Sequence, residues 1–283
     1  MSTTTSRTRQ SGRTTRPATS WLRQTLRLTR TELTLFLRYK TAWMYVVLPL
    51  ILFLPALAGP SPELFEGFTT TELGLAGAIG GIGVILGIGH ASNVFTARRE
   101  SLVLKRLRVS GVPQSAIFGA MIMFVFVVSL AVTALVVAAL FAVGQLLPAD
   151  PLMLVFSVFL GVVAMSLIGL LITPLVRNAE AAQMAAMVPL LILLYLGGII
   201  MPLEAMGDSV RQVAQLLPVV PTVEMAQAAY SGHDVFGGVE GAEAMGFVGL
   251  WVSALPSIGL MLGWIAVLSL LVRRYFRWDP RQP

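Results

Sequence analysis

The chain has 283 residues, of which 56% are apolar and only 12% are charged, whereas about 25% of the residues of a soluble domain are charged. This composition excludes an ordinary soluble domain and indicates an integral membrane protein. In a membrane protein, a net charge of +6 is evidence about topology first and about nucleic-acid binding only second. The sequence contains no cysteine, which excludes disulfides, thiolate metal sites and cysteine nucleophiles, and its two histidines, His90 and His233, argue against a His-based metal site.

Residues 1–19 are mainly Ser, Thr and Arg and contain almost no apolar side chain. Such a segment cannot bury enough apolar surface to offset the entropy of ordering, so it is predicted to form a disordered cytoplasmic tail. An Arg- and Ser-rich start without acidic residues is also typical of an organellar transit peptide, which stays open as an alternative.

Residues 21–40 carry leucines at helical spacing beside a basic stripe. This pattern predicts an amphipathic helix in the membrane interface, with its arginines among the lipid headgroups, or a cytosolic extension of the first span. The leucines are Leu22, Leu26, Leu33 and Leu37, and the basic residues are Arg23, Arg27 and Arg30.

Six apolar runs are each long enough to cross a hydrocarbon core about 30 Å thick. They predict an all-α membrane protein with spans at about 41–58, 73–95, 117–143, 152–176, 184–201 and 247–272. The first run ends in an Ala-Leu-Ala sequence that imitates a signal-peptidase site. A long basic region precedes this run, and the run contains Pro49 and Pro55, so we interpret it as an uncleaved span.

The second predicted span contains seven glycines, and Gly83 and Gly87 form a GxxxG pattern that lets helices approach closely in lipid. Its GGIGVILGIG run is not a GxGxxG and follows no strand, so we reject a nucleotide-binding loop. His90 and Asn93 lie near the end of this span. We interpret them as helix-end residues that face headgroups or a partner, rather than as a proton relay.

Basic residues are almost confined to one set of segments. The first 40 residues contain nine of the 20 Lys and Arg, the loop after the second span five, Arg177 one and the C-terminal segment four, which leaves only Arg211 for the other side. The loops assigned to that other side contain ten of the 14 acidic residues. The positive-inside rule therefore predicts that both termini are cytoplasmic.

No motif in the sequence supplies a reaction or an energy source. There is no GxxxxGK[ST], HExxH or GxSxG, and there is no clustered pair of aspartates. The spans contain almost no ionisable residue, which argues against an ion-coupled secondary transporter. A channel, a scaffold or a transport subunit powered from outside remains, with no cofactor of its own.

Residues 96–113, TARRESLVLKRLRVSGVP, form a basic loop between two spans and must lie in water. We predict a short helix over Thr96–Val109 across the membrane surface, with Gly111 as its stop and Pro113 opening the next segment. Leu104 and Leu107 give this helix an apolar edge suited to a groove on a partner. The charges alone are equally consistent with a topology anchor.

Two stretches carry a family resemblance. Arg99-Glu100 followed by Leu104-Lys105-Arg106-Leu107-Arg108 resembles the cytoplasmic loop of type-2 ABC exporter permeases, which typically read R-E-x-G-x-L-x-x-L-R; Leu102 stands where the family commonly has Gly. The second stretch, from Gly197-Gly198 through Pro202 to Leu217-Pro218, is similar to the family's region after the fifth span. In the family, helices of that region dip back into the outer leaflet.

The resemblance covers residues 20–275, with 276–283 as a cytoplasmic tail, and implies the permease of an ATP-driven exporter in the cell membrane. Two permeases, identical or paralogous, would pair among the membrane lipids, and each would bind a cytoplasmic ATPase subunit that holds the ATP. Loop 96–113 would then be the coupling helix and loop 202–246 an outer re-entrant gate. The coupling residues would be Arg99, Glu100, Leu104, Lys105, Arg106, Leu107 and Arg108, and the gate residues Gly197, Gly198, Pro202 and Pro218.

An almost charge-free bundle suits a hydrophobic or amphipathic cargo, such as a drug, an antibiotic or a lipid. Export of a polysaccharide or glycolipid stays an alternative. So does a non-transport scaffold or sensor that binds a cytoplasmic partner through the same loop. No nucleic-acid partner is expected.

Overall fold

The computed structural model describes residues 21–38, 43, 47, 51, 62–65, 68–144, 146–200, 203, 206–239 and 241–278. Most of the predicted first span, 41–58, lies outside these residues, as do the tail 1–19 and the last residues of the chain. The count of six spans therefore stays a prediction.

Helices dominate the described residues. Beside them, β1 (Glu63–Phe65) and β2 (Phe68–Thr69) pair as a short antiparallel hairpin. The helices are α1 (Trp21–Arg38), α2 (Thr70–Gly83), a π-helical segment (Val84–His90), α3 (Ala91–Glu100), α4 (Val103–Val109), α5 (Gln114–Gly144), α6 (Pro151–Ile172), a 3-10 turn (Thr173–Leu175), α7 (Ala179–Leu196), α8 (Asp208–Ala214), α9 (Val220–Ser231), α10 (Phe247–Ser253) and α11 (Leu255–Tyr275).

Five helices of the described residues are long and apolar enough to cross a membrane, which confirms a helical multi-pass membrane protein. These are Thr70–Glu100, Gln114–Ala142, Pro151–Leu175, Ala179–Leu196 and Leu255–Tyr275. The largest differences from the predicted bounds lie in three spans. The fifth, predicted at 184–201, is Ala179–Leu196. The second span continues through its terminal arginines to Glu100, because charged side chains do not end a helix. The last span is interrupted at Ala254. Pro256 lies in the first turn of the helix that resumes there, and a proline cannot donate a backbone hydrogen bond.

The continuous helix of α2, the π-helical segment and α3 is the centre of the bundle, and its most apolar stretch is almost wholly buried. It begins in a capping box, in which the Glu72 amide donates to Thr69 Oγ1 (3.3 Å) and the Thr69 amide donates to Glu72 Oε2 (2.8 Å). α5, α6, α7 and α9 pack around it.

Glycines of this central helix lie directly against backbone of the neighbouring helices. A Cβ atom on Gly80 would lie 2.1 Å from the carbonyl oxygen of Thr222 in α9, and one on Gly83 would lie 2.9 Å from the backbone of Gly161 in α6. A Cβ on Gly87 would also clash with α6. The predicted close approach at the GxxxG pattern is confirmed, and it joins helices within one chain.

Helix α1 packs against α5 through an unexpected face. Its buried residues follow a stripe of helical spacing: Thr25, Thr29, Glu32 and Phe36. Three of the four predicted leucines point away from the bundle, with Leu22 59%, Leu26 52% and Leu37 61% exposed, whereas Leu33 packs partly buried against the core. The predicted helix is present, but its fully buried contacts come from the polar and aromatic stripe rather than from the leucines. Its place in the membrane interface stays a prediction.

The long loop after α7 contains α8 and α9, and these two helices differ in burial. Nearly every side chain of α9 is buried, because the helix packs between α2 and α6. Helix α8 is largely exposed, and its sole buried residue among those described is Ala214. Re-entry of these helices into a membrane stays a prediction.

Candidate docking site at the basic loop

The basic loop contains two helices instead of the predicted single helix over Thr96–Val109. Helix α3 ends at Glu100, Ser101 and Leu102 form a turn, and α4 starts at Val103. Leu102 has a φ of 60° and a ψ of 11°. Among the described residues it is the only non-glycine residue with a positive φ.

This turn explains the glycine of the family pattern. A residue with a Cβ atom pays roughly 1–2 kcal/mol in the left-handed conformation, whereas glycine adopts it freely. The departure at Leu102 therefore does not remove the turn; the chain keeps the turn with a residue that is strained in it.

Arg99 does not face a partner, because its side chain is only 1% exposed. Its guanidinium donates to the carbonyl oxygen of Thr173 (2.6 Å) and to that of Val176. These carbonyls belong to the 3-10 turn that follows α6 and to Val176, the residue after that turn. Arg99 was predicted as a coupling residue, and that role stays a prediction; its buried side chain attaches the loop to the segment that follows α6.

Arg98, the preceding residue, fastens the loop to α1. Its guanidinium forms an ion pair with the carboxylate of Glu32, and both side chains are largely buried. The two adjacent arginines thus connect the end of α3 to two different helices.

The predicted apolar edge of Leu104 and Leu107 also points inward. Leu104 has no exposed surface and belongs to the hydrophobic core of the chain, and Leu107 packs partly buried against that core. Leu104 therefore seats α4 on the bundle and is not available to a partner.

The exposed side of α4 is a mixed apolar and basic surface, which we call the docking face. It consists of Leu102 (41% exposed), Lys105, Arg106 and Val109 (82% exposed), which follow the i, i+3, i+4, i+7 spacing of one helix face. The exposed Glu100 precedes it in the chain. The spacing of these four residues is visible in the sequence, but the sequence supports Leu104 and Leu107 as the contact surface equally well.

Arg108 lies beside the docking face and contacts the C-terminal segment. Its guanidinium carbon is 6.0 Å from the ring centre of Trp278, at the limit for a cation–π interaction. The C-terminal segment therefore packs near the basic loop.

His90 and Asn93 are half-buried and make contacts within the chain; that they face headgroups or a partner stays a prediction. The His90 ring lies 4.9 Å from the ring of Phe124 and 6.2 Å from that of Phe36, measured between centroids. The side-chain amide of Asn93 donates to the carbonyl oxygen of Ala179 (3.4 Å), at the start of α7.

Two of the predicted gate residues, Gly197 and Gly198, follow the C-terminal end of α7, about 27 Å from its first residue for a helix of this length. α7 ends at Leu196, and Gly198 continues the chain with a φ of 75°. Gly197 cannot carry a side chain, because its Cβ would lie 2.4 Å from the Leu193 carbonyl oxygen. Pro218 is buried just before α9, and Pro202 lies outside the described residues.

Within the described part of the chain, no three His, Asp or Glu side chains come together as metal ligands. The site therefore consists of a surface helix and its attachments to the bundle.

A sequence model of the family described as "ABC-2 family transporter protein" matches residues 40–274. The matched region begins just after α1 and includes the basic loop, every described candidate span and the long loop after α7. No curated protein matches the chain at a significant level.

Proposed function

The chain belongs to the ABC-2 family of transporter proteins, and from that premise we propose that it is the permease of an exporter driven by a separate cytoplasmic ATPase subunit. The sequence has no GxxxxGK[ST] with which to bind ATP itself. Energy must then enter through contact with the partner, and the docking face of α4 is the surface we assign to that contact.

The observation that carries this proposal is the way α4 is held. Leu104 is buried in the core, while Arg98 connects the loop to Glu32 of α1 and Arg99 connects it to the end of α6. A displacement of α4 would therefore move two helices of the bundle with it. Such rigid attachment suits a bundle that switches between two arrangements when its partner changes shape.

The charge asymmetry of the sequence supports the orientation that this mechanism needs. With 19 of 20 basic residues on one side, loop 96–113 and both termini would be cytoplasmic. Two permeases, identical or paralogous, would pair in the cell membrane. An almost charge-free set of spans favours a hydrophobic or amphipathic cargo that moves outward.

The proposal is tested by co-purification with the ABC-type ATPases of the source organism, followed by ATPase assays in liposomes. Reversing the charges of the docking face with Lys105→Glu and Arg106→Glu, or introducing Val109→Asp, should lower capture of the ATPase at least about tenfold, which corresponds to about 1.4 kcal/mol.

The matched control reverses two exposed basic residues of α11, Arg273→Glu and Arg274→Glu, which change the net charge equally and leave α4 intact. Equal capture by the docking-face variant and the unaltered protein would contradict the assignment. Equal losses of ATPase capture in the docking-face and α11 variants would show that the loss reflects net charge and not the docking face.

A further inference from the structure

A cavity of about 450 Å³ lies at the end of the bundle where α2 begins. Its walls come from the first turns of α2, from α8 and α9, and from the glycine-containing loop after α9. The volume lies within the range of about 300–1,000 Å³ that is typical of small-molecule sites. The positive-inside pattern places this end on the side opposite the basic loop.

One part of the cavity wall is apolar. It is formed by side chains from five segments of the chain, namely Leu64, Leu73, Leu203, Val223, Val235 and Val239. Gly74 adds open space, because a Cβ atom there would meet no atom within 4 Å. This part of the cavity can hold a hydrocarbon or aromatic group.

The wall also carries two opposite charges, on Arg211 of α8 and Glu224 of α9, and Gln215 and Gln227 line it as well. Arg211 is held in place, since its Nη2 donates to the carbonyl oxygen of Gly237 (3.0 Å). The remaining N–H groups of a guanidinium suit a phosphate or carboxylate.

Arg211 is also the one basic residue that the charge pattern leaves on the outer side of the membrane. Basic residues are disfavoured in such loops during insertion, so this arginine does not serve the topology signal, and its place in the cavity wall makes it available to a ligand.

We propose that this cavity binds a zwitterionic amphiphile. Its anionic group contacts Arg211, its cationic group contacts Glu224, and its apolar tail lies along the leucine and valine wall. A phospholipid with a phosphate and an ammonium group in its headgroup has this chemistry. The site is separate from the docking face and requires no ATPase.

The test measures lipid binding to the purified chain in detergent by native mass spectrometry. The probes are dioleoylphosphatidylethanolamine, which is zwitterionic, dioleoylphosphatidylglycerol, which is anionic, and phosphoethanolamine, which is the headgroup alone. We expect the zwitterionic lipid to bind at least about tenfold more tightly than either other probe, because each lacks one of the three contacts.

Three variants separate the contacts. Arg211→Gln should weaken binding of the zwitterionic lipid about tenfold, the loss of one charge-assisted interaction. Glu224→Gln should remove the preference over the anionic lipid. Gly74→Phe leaves both charges in place and fills the space for the tail, and Gly263→Phe on α11, where a Cβ also meets no atom within 4 Å, is its matched control.

Equal affinity for the two lipids, unchanged binding in Arg211→Gln, or equal losses in the two Phe variants would overturn the proposal. Binding of phosphoethanolamine as tight as that of the whole lipid would overturn the role of the tail. If Arg211→Gln does not fold, Gly74→Phe decides the question. No ATPase is present in this assay, so its outcome is independent of the exporter proposal.

Discussion

The left-handed turn at Leu102 separates α3 from α4 and sets the direction of the docking face. Leucine is strained there, and its side chain contributes to the exposed face. Leu102 thus adds apolar surface to the docking face, but its side chain strains the backbone of the turn.

Leu102→Gly and Leu102→Ala both delete the side chain, and only glycine relieves the positive φ. We expect the glycine variant to be more stable than the alanine variant by about 1 kcal/mol, measured as the midpoint of thermal unfolding in detergent. An alanine variant as stable as the glycine variant would show that the turn opens in solution.

Arg99 is the buried cation of the loop, and its removal leaves two carbonyl groups at the end of α6 without their donor. Arg99→Met should lower the free energy of unfolding by about 2–4 kcal/mol. The control Arg106→Met alters an exposed residue of the docking face and should change it by less than about 0.5 kcal/mol. Similar thermal midpoints for the two variants would refute the buried role of Arg99.

At the scale of the elements, helix positions could be predicted from the sequence and packed faces could not. A span must satisfy its backbone groups internally, so a long apolar run indicates a helix. In lipid, however, a leucine gains little from facing protein rather than acyl chains, and small or polar residues often make the contact. Leu22 and Leu26 therefore lie on the exposed side of α1, whereas Thr25 and Thr29 contact α5.

The same reasoning limits what the sequence could predict about the docking site. Its location between two spans was evident from its charge density. The burial of Leu104 and the exposure of Val109 depend on the turn of the chain at Leu102. Helical periodicity does not predict that turn, because the turn interrupts the helix. The attachments of Arg98 and Arg99 join residues more than 60 positions apart in the sequence, which spacing cannot indicate.

Two glycines of α2 provide a matched pair for the role of close helix packing. Gly80→Ala would force a Cβ against the Thr222 carbonyl and displace α9, whereas Gly74→Ala meets open space. We expect Gly80→Ala to lose about 2–4 kcal/mol of stability and Gly74→Ala to gain up to about 1 kcal/mol from helix propensity. Thermal unfolding in detergent distinguishes them, and equal midpoints would contradict the packing.

At the scale of the whole molecule, α2 and α3 form a buried axis, whereas α7 and α11 are mostly exposed at the periphery. The buried axis and the peripheral α7 have the same mean hydropathy, so apolarity does not distinguish a buried span from a peripheral one. The basic loop and the outer cavity lie toward opposite ends of this bundle.

Its orientation can be tested with single cysteines, since the natural chain has none. In intact cells, an impermeant maleimide should label Glu243→Cys and should label Lys105→Cys only after the membrane is opened; both positions are exposed. Labelling of position 105 in intact cells would reverse the proposed topology.

If the docking face receives the ATPase as proposed, the adjacent positions of Arg98 and Arg99 have a consequence for the stoichiometry of transport. One arginine holds α1 and the next holds α6, so either attachment can be released while the docking face stays intact. A chain with Glu32→Gln would then still recruit its ATPase and stimulate it, yet transfer the movement to only one of the two helices. Such a permease would hydrolyse more ATP for each cargo molecule delivered, a defect that measurements of binding or of ATPase activity alone would not detect.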